Sequence, residues 1–244
     1  MPEGPSIVIL KDAVQQFVGC KITSVSGSTK KFDISILNDQ KIESFKSWGK
    51  HFLICFHTFS VRIHFLLFGT YRINEHKESV ARLSLQFNNG ELNFYGCSIE
   101  IIDKHLDEVY DWSADVMSES WDARKAIDKL LSKPKTLVCD ALLDQNIFAG
   151  SGNIIKNEVL FRIKVHPKST IAALPKNKLE ELVTAAVNYS FDFLEWKKEF
   201  TLKKHWLAHT KKVCTRDQST LSKEYLGKTN RRSYFCNVCQ VLYT

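Results

Sequence analysis

The stretch DQNIFAGSGNIIKNE, residues 144–158, is the most informative part of the sequence and sets the fold of the second half of the chain. At its centre, residues 150–152 place two glycines around a serine, and glycine accepts the backbone conformations that a tight turn requires. Beyond the turn, the spacing of apolar residues predicts a helix over Asn153–Phe161. A glycine turn that opens a helix exposes backbone N–H groups, so this segment is typical of a phosphate site.

The pattern on either side of this stretch predicts an α+β protein. Helical spacing recurs at Ala126–Leu131, Leu137–Leu143 and Leu179–Trp196. The first half of the chain begins with a predicted helix from Ile7 to Val18, and short runs typical of strands follow it. The predicted strands are Lys21–Ser26, Ile42–Phe45, His51–Thr58, Val61–Phe68, Val80–Phe87 and Glu91–Tyr95. Closely spaced short strands favour an antiparallel sandwich or barrel.

A polar segment, residues 111–120, separates the strand-rich half from the helical half. We therefore expect an N-terminal β-sandwich domain at residues 1–115 and a helical domain at residues 121–210. The remaining residues, 211–244, are expected to form a small hairpin, because Cys236 and Cys239 lie in a plausible tight turn and Cys214 precedes them at a separation typical of a zinc hairpin.

Composition and charge exclude several classes of protein. The chain has 16 Phe, 7 Tyr and 5 Trp, which is incompatible with disorder as the main state. Its longest apolar runs are far shorter than the roughly 20 residues of a membrane span, and no signal peptide is visible, so a cytoplasmic location is expected. The net charge is +7, and residues 195–244 contain eleven Lys and Arg against four acids, which accounts for the whole excess. This end of the chain suits a polyanion such as nucleic acid, or is simply a solvated lysine-rich face.

The cysteine spacing near the C-terminus is typical of a metal site. Seven cysteines without a signal peptide argue against a disulfide framework. Cys236 and Cys239 are separated by two residues, a spacing that lets both thiolates reach one tetrahedral Zn²⁺. Cys214 offers a third ligand, and Asp217 stands where a second Cys-x2-Cys pair would be completed. Other candidates for the fourth ligand are His205 and His209. A metal-free hairpin held by its apolar residues is the alternative interpretation.

The N-terminus itself is a candidate catalytic group. Methionine before proline is normally removed, which would expose the secondary amine of Pro2. An α-amine titrates near pH 7.7–8.0, so a useful fraction is unprotonated at neutral pH and can attack a carbon electrophile to form an iminium. Glu3 follows directly and can give or take protons. Many proteins begin Met-Pro, so this pair alone means little.

Four features taken together resemble the formamidopyrimidine-DNA glycosylase / endonuclease VIII family over essentially the whole chain. They are the start MPEGP, Gly49-Lys50 before a β-run, the segment 144–158 and the cysteine hairpin. The start looks more like the endonuclease VIII branch, and the segment 144–158 is similar to the family's helix–two-turn–helix motif. The resemblance implies an N-terminal β-sandwich with a leading helix, a helix–two-turn–helix domain and a zinc-finger-like hairpin.

The resemblance also implies roles for individual residues. Pro2 would be the nucleophile that attacks C1′ of the damaged nucleotide, and Glu3 the general acid and base that helps to open the sugar ring. Lys50 matches the family lysine that binds a phosphate beside the lesion.

Further residues match the family's DNA-binding positions. Asn153 and the amides around Gly152 would bind the phosphate backbone, and Leu67 would be the wedge that fills the space left by an extruded base. Arg231 matches the hairpin arginine that binds phosphate, and the adjacent Arg232 is the alternative for this role.

Three departures from the family pattern stand out. Ser6 occupies a position where the family usually has a second glutamate, so a proton relay through that carboxyl is absent or replaced. Asp217 replaces a hairpin cysteine, which puts zinc binding in question. The segment 200–214 is short and leaves little room for the lid of the 8-oxoguanine branch, which favours oxidised pyrimidines as substrates.

The resemblance therefore implies a base-excision repair enzyme that acts as both DNA glycosylase and AP lyase through β,δ-elimination at a Pro2 Schiff base. Its expected partner is damaged double-stranded DNA, with a structural Zn²⁺, no redox cofactor, a monomeric state and a cytoplasmic location, associated with the nucleoid if the source is bacterial. Two alternatives stay open: a glycosylase for oxidised purines, and a catalytically silent protein that binds damaged DNA.

Overall fold

The chain folds as two units, one ending at Tyr110 and the other beginning at Asp111. This is seen in a computed structural model, which describes residues 2–244. Met1, and with it the expected removal of the initiator methionine, lies outside the described residues. The second unit includes both the helices and the C-terminal hairpin.

The first unit is a six-stranded antiparallel sheet preceded by a helix. Helix α1 spans Gly4–Ala13, and a single 3-10 turn follows it at Gln15–Phe17. The strands are β1 Ile22–Ser26, β2 Ser44–Trp48, β3 His51–Cys55, β4 Ser60–Ile73, β5 Leu83–Phe87 and β6 Gly90–Ile102. They form one continuous sheet in the order β1-β5-β6-β4-β3-β2. A short helix, α2 at Leu106–Val109, ends the unit.

The core of this unit follows from the alternation of side chains along its strands. Val61, Ile63 and Phe65 of β4 are buried, as period-two alternation requires of a strand with one face on a core. Helix α1 covers that face with Ile7 and Leu10, both of which are buried. The unit thus has its own hydrophobic core.

Strands β4 and β6 run much further than the sequence predicted, and two glycines explain the difference. A Cβ atom on Gly69 would lie 2.8 Å from the carbonyl oxygen of Gly96 and 2.9 Å from Cβ of Phe65. The two strands approach each other so closely here that a side chain on Gly69 would clash. The pairing of β4 with β6 shifts register between Phe65 and Thr70, and residues 66–68 form a bulge there.

The second unit is helical with a terminal hairpin. Its helices are α3 Ala123–Leu131, α4 Val138–Ala141, α5 Asn153–Arg162 and α6 Lys176–Lys198, and its hairpin consists of β7 Ser222–Leu226 and β8 Arg231–Phe235. Phe148, Ile155 and Leu182 are among the residues of the main core. A smaller core under the hairpin includes Phe161 and Phe235.

The predicted α+β class is confirmed. Each of the four helices predicted for the second half overlaps an observed helix, and the hairpin is present. None of the helices described has both the length and the apolar character needed to cross a membrane.

Candidate functional site

Pro2 and Glu3 lie at the entrance to helix α1. Glu3 occupies the N-cap position, and its backbone carbonyl accepts a hydrogen bond from Ser6 N at 2.8 Å. Its side chain is only 2% exposed, whereas Pro2 is half-buried. The structure therefore places a buried acid directly beside a partly accessible proline.

Lys50 lies in the turn that joins β2 to β3. Gly49, just before it, has φ of 54°, a left-handed conformation that glycine adopts without strain. Helix α1 packs against both of these strands. Pro2 therefore precedes a helix that packs against the two strands flanking Lys50.

Two histidine rings lie close to Lys50 and are held neutral. His51 and His64 are paired across β3 and β4, with ring centroids 5.4 Å apart. Burial lowers the pKa of His51 to about 3, and interactions with Arg62, His64 and Lys50 act in the same direction. Burial, followed by Lys50 and Arg62, also lowers the pKa of His64. Both rings are therefore uncharged at neutral pH, and they add no positive charge to that of Lys50.

Aromatic residues complete this cluster, which the sequence analysis missed. The Tyr110 hydroxyl lies 3.2 Å from Nδ1 of His51, and the Trp48 ring lies 5.0 Å from the Tyr110 ring. The only available signal was that His51 directly follows Gly49-Lys50. The distant Tyr110 could not be placed without the strand pairing.

Three adjacent apolar side chains project from the bulge in β4. Leu66 is 50% exposed, Leu67 is 53% exposed and Phe68 is 90% exposed. Burial of apolar side chains is favourable, so such a group in solvent indicates a contact surface. Leu67, the predicted wedge, is at its centre.

The two-turn segment before α5 is held by a side chain within it. Gln145 donates to the carbonyl oxygens of Leu143 and Ser151 at 2.9 and 3.1 Å and accepts from Gly150 N at 3.1 Å. Gly152 is the N-cap of the ten-residue helix α5. Within residues 2–244, Ser151 Oγ and Asn153 Oδ1 are buried without a hydrogen-bond partner. A helix N-terminus with such polar atoms is suited to an anionic ligand.

Helix α5 fixes the hairpin through buried polar side chains. Lys156 is 1% exposed, and its ammonium donates to Arg232 O at 3.2 Å and to Ser233 Oγ at 2.8 Å. Asn157 Oδ1 accepts from Tyr234 N at 3.1 Å. Three consecutive residues of β8 are thus tied to α5, as expected for buried polar groups, which require partners.

Glu158, also in α5, fixes the segment before the hairpin through hydrogen bonds to its backbone. It is fully buried, and its carboxylate accepts hydrogen bonds from the backbone N–H groups of Leu207, Ala208 and His209 at 2.7–3.1 Å. Arg162, one turn further along α5, lies 3.5 Å from it. The segment between α6 and the hairpin is therefore anchored at its centre.

The two hairpin arginines differ in their surroundings. Arg232 donates to the Tyr225 hydroxyl at 2.6 Å and lies over the Tyr225 ring at 5.2 Å. Arg231 pairs with Leu226 in the strand register, and its side chain has no hydrogen-bond or ion-pair partner within residues 2–244. Of the two, Arg231 has the guanidinium that is available to a phosphate.

The four predicted metal ligands come together. One ligand atom each from Cys214, Asp217, Cys236 and Cys239 lies within 4.8 Å of all the others. Sγ of Cys214 and Sγ of Cys239 are 3.6 Å apart, close to the roughly 3.8 Å between two sulfurs bound to one tetrahedral zinc. Oδ1 of Asp217 accepts hydrogen bonds from Ser219, which lower the pKa of this carboxyl, and Oδ2 lies 3.1 Å from Cys236 Sγ. The residues fit a structural metal ion.

The two alternative histidine ligands lie elsewhere. Nδ1 of His209 is 3.2 Å from the side-chain nitrogen of Asn157, and the His205 ring stacks on Trp196 at 4.1 Å. Among the residues described, the ligand group contains Asp217 and neither histidine.

Comparisons with known proteins identify the family. The formamidopyrimidine-DNA glycosylase N-terminal domain matches residues 1–97, and the formamidopyrimidine-DNA glycosylase H2TH domain matches residues 113–199. Endonuclease 8-like 2 of Bos taurus is 33% identical over 196 residues, which are 74% of this chain and 58% of that protein. The chain belongs to the formamidopyrimidine-DNA glycosylase / endonuclease VIII family. The resemblance predicted from the four sequence features is confirmed.

Solved structures show that the family fold extends over the whole chain. A viral DNA glycosylase has a TM-score of 0.84 at 20% identity, with 98% of this chain and 100% of that chain covered. Lactococcus lactis Fpg, in a complex with DNA containing an oxidised pyrimidine, has a TM-score of 0.86 at 21% identity, with 98% and 99% covered. The chain nevertheless spans only 58% of the length of the bovine family member.

Proposed function

We propose that this protein is a base-excision repair enzyme, a DNA glycosylase with AP lyase activity that removes oxidised bases, chiefly pyrimidines. The observation that carries the proposal is Pro2 at the entrance to α1 with the buried carboxyl group of Glu3 beside it. An amine nucleophile next to a proton donor and acceptor is the arrangement that Schiff-base chemistry at a sugar carbon requires.

The proposed reaction begins at C1′ of the damaged nucleotide. The unprotonated nitrogen of Pro2 forms a bond to C1′, and the damaged base leaves with the electrons of the glycosidic bond and takes up the proton that the Pro2 nitrogen loses. Glu3 protonates the ring oxygen as the bond between C1′ and that oxygen breaks, which gives an iminium between Pro2 and the opened sugar. Because the iminium withdraws electrons, a proton is then lost from C2′ and the 3′ phosphate leaves.

A second elimination expels the 5′ phosphate, and water hydrolyses the remaining iminium to release Pro2. The product is a one-nucleotide gap with phosphates at both ends. Glu3 is the residue placed to accept and return protons during these steps, since Ser6 has no carboxyl group to share that task.

Three basic or amide-rich groups are proposed to hold the DNA backbone: Lys50, the turn around Gly152 with Asn153, and Arg231. The helix N-terminus at Gly152 and the unpaired guanidinium of Arg231 support this assignment. Binding through phosphates releases counterions, so the affinity should fall steeply with salt concentration.

The exposed bulge at residues 66–68 is proposed to enter the space left when the damaged base is extruded. Apolar wedges offset part of the cost of unstacking, which is a few kcal/mol per step. The exposure of all three side chains supports this role.

The preference for pyrimidines is proposed from the segment between α6 and the hairpin. It contains only a 3-10 turn at Leu202–His205, and Glu158 anchors residues 207–209, so little chain remains to cover an extruded purine. Oxidised purines are the alternative substrates.

The test is borohydride trapping on duplexes that contain thymine glycol, 8-oxoguanine or an abasic site. We expect a covalent adduct with the wild-type protein, fastest with thymine glycol or the abasic site, and a much slower one with Pro2→Gly, whose primary amine replaces the proline nitrogen. Pro2→Gly should still bind the abasic duplex. Tight binding without any adduct would instead favour the catalytically silent binder, which the loss of a carboxyl at Ser6 makes the second candidate.

Intact-protein mass spectrometry checks the requirement for a free Pro2 nitrogen. We expect the mass to lack one methionine. A retained Met1 would leave Pro2 as an amide, which cannot attack C1′.

We also propose that the cysteine cluster holds one structural Zn²⁺ through Cys214, Asp217, Cys236 and Cys239. When bound, the ion would cross-link the two ends of the hairpin region without entering the reaction. Metal analysis of the purified protein should give about one zinc per chain, and Asp217→Cys should retain zinc at higher chelator concentrations. A ratio near zero for both proteins would contradict this part of the proposal.

The remaining expectations are a monomer that acts on double-stranded DNA in the cytoplasm, associated with the nucleoid in a bacterial host. Light scattering after size exclusion should give a mass near the 28.1 kDa of one chain. A mass near twice that value would contradict the monomer, and fluorescence microscopy of a tagged protein tests the location.

A further inference from the structure

The connection between β7 and β8 is hydrogen-bonded to a carboxylate from outside the hairpin. Asp140, in helix α4, accepts hydrogen bonds from Lys228 N at 2.8 Å, from Thr229 N at 3.1 Å and from the Thr229 hydroxyl at 2.8 Å. Both carboxylate oxygens are used. The proposed chemistry assigns no role to Asp140.

The connection is also shaped around this carboxylate. Gly227 has φ of 70°, and a Cβ atom added to it would lie 2.3 Å from each oxygen of Asp140. No side chain fits at position 227 while Asp140 keeps its place, because real carbon–oxygen contacts are never that short. The close approach and the three hydrogen bonds are independent signs that the contact is specific.

These hydrogen bonds lie immediately before Arg231, whose side chain has no hydrogen-bond or ion-pair partner within residues 2–244. Arg231 follows Thr229 by two residues, and the carbonyl of the next residue, Arg232, is held by Lys156 at 3.2 Å. Arg231 therefore stands between two points at which the backbone is fixed to the helices of its unit. If either point were released, the guanidinium would have to be ordered by the DNA itself at an entropic cost.

We propose that Asp140 is a positioning residue for Arg231: it fixes the tip of the hairpin so that the guanidinium is ordered before DNA arrives. The inference rests on the phosphate-binding role of Arg231 in the proposed function. Asp140 acts through the hairpin backbone and does not itself bind DNA.

Electrostatics and positioning predict opposite changes in DNA affinity when Asp140 is removed, so the direction of the measured change tests the proposal. Asp140 is a negative charge close to a DNA-binding arginine, and it occupies backbone N–H groups that would otherwise attract an anion. Its removal raises the net charge from +7 to +8, which by charge alone tightens binding to a polyanion. Positioning predicts weaker binding in spite of the added charge.

The experiment compares Asp140→Ala with Asp128→Ala, which removes an exposed carboxylate from α3 in the same unit. Binding to a duplex with a tetrahydrofuran abasic analogue is measured by fluorescence anisotropy at several salt concentrations. We expect Asp140→Ala to raise Kd about tenfold and to lower the salt slope by about one phosphate contact. Asp128→Ala should bind as tightly as the wild type, or more tightly.

A double-mutant cycle separates positioning from a general loss of structure. In an Arg231→Ala background, Asp140→Ala should change Kd less than twofold, since the side chain it orders is gone. If Asp140→Ala does not fold, Thr229→Val removes one of the three hydrogen bonds more gently and should raise Kd about threefold, again only when Arg231 is present.

The proposal is overturned if Asp140→Ala binds like Asp128→Ala, or if its effect is equally large without Arg231. Failure of the proposed function would be seen in a different measurement, borohydride trapping of the wild-type protein. Wild-type protein that binds the duplex but never forms a borohydride adduct would refute the chemistry and leave the positioning result intact.

Discussion

The two units place their basic groups by different physical means. In the first unit, Lys50 lies beside two histidines whose pKa values are lowered by burial and by positive neighbours, so that these rings are neutral. In the second unit, Arg231 is ordered through its backbone, because Asp140 and Lys156 bond the chain on either side of it. The first unit thus sets the charge around its lysine through the protonation state of neighbouring side chains. The second unit sets the position of the backbone that carries its arginine. The two arrangements should therefore fail under different perturbations.

The largest effect is expected from breaking the backbone anchors of the second unit. Glu158→Ala leaves three backbone N–H groups without their carboxylate and should lower the free energy of unfolding by about 4 kcal/mol. Urea unfolding followed by circular dichroism measures this change. Glu180→Ala, an exposed glutamate on α6, is the matched control and should stay within about 0.5 kcal/mol of the wild type. Equal stability of the two variants would show that the anchor is dispensable.

A pH dependence is expected from the first unit. The folded pKa of His51 is about 3 and lies below its usual value of 6.5, so the unfolded chain takes up this proton first as the pH falls. Between pH 6.5 and 5 this should cost about 2 kcal/mol of stability. His51→Gln cannot take up the proton, so its stability should depend less on pH over that interval. Melting curves across the interval test this, with His57→Gln as the exposed-ring control; parallel curves for all three proteins would contradict the assignment.

A smaller effect, on catalysis, is expected at the bulge, residues 66–68. The bulge depends neither on the neutral histidines of the first unit nor on the backbone anchors of the second. Leu67→Ala should slow base release from a lesion duplex about tenfold, equivalent to about 1.4 kcal/mol, because the wedge fills less of the vacated space. Stability should not change, since the side chain is already 53% exposed. Single-turnover kinetics gives the rate, and Val80→Ala, which truncates an apolar side chain of the same unit that is 78% exposed, is the control. A rate equal to that of the control would remove Leu67 from the mechanism.

The smallest change should be a gain of stability. Ser151 Oγ is buried without a partner within residues 2–244, so Ser151→Ala removes an unsatisfied hydroxyl and should stabilise the protein by about 1 kcal/mol. Ser190 is equally buried, but its hydroxyl donates to Ala186 O at 2.7 Å, so Ser190→Ala should not stabilise. Thermal melts of both variants make the comparison, and a loss of stability in Ser151→Ala would point to an unrecognised partner for this hydroxyl.

Much of the architecture could be predicted because local patterns and global fold agree. Helix α5 was predicted at Asn153–Phe161 and observed at Asn153–Arg162, since a glycine turn and regular apolar spacing mark its start and course. Strands β4 and β6 were predicted too short, because Gly69 and Gly96 look like strand ends in a sequence. Only the packing shows that they allow two strands to touch.

The candidate site was predictable to the extent that it depends on motifs. The cysteine spacing pointed to the cluster, and the structure brings Asp217 rather than a histidine to it. The supporting contacts were not predictable. Lysine and aspartate usually lie in solvent, so neither the burial of Lys156 nor the hydrogen bonds that Asp140 accepts from Lys228 and Thr229, 88 and 89 residues away, leave a trace in the local sequence.

The concentration of charge at the hairpin end also bears on how the protein meets its target. The first 194 residues contain 23 basic and 23 acidic side chains, so the entire net charge resides in the last 50. All of this excess charge belongs to the second unit, and the field of a polyanion attracts a surface of this kind from a distance. The rate at which this part of the second unit meets a polyanion would therefore depend on ionic strength.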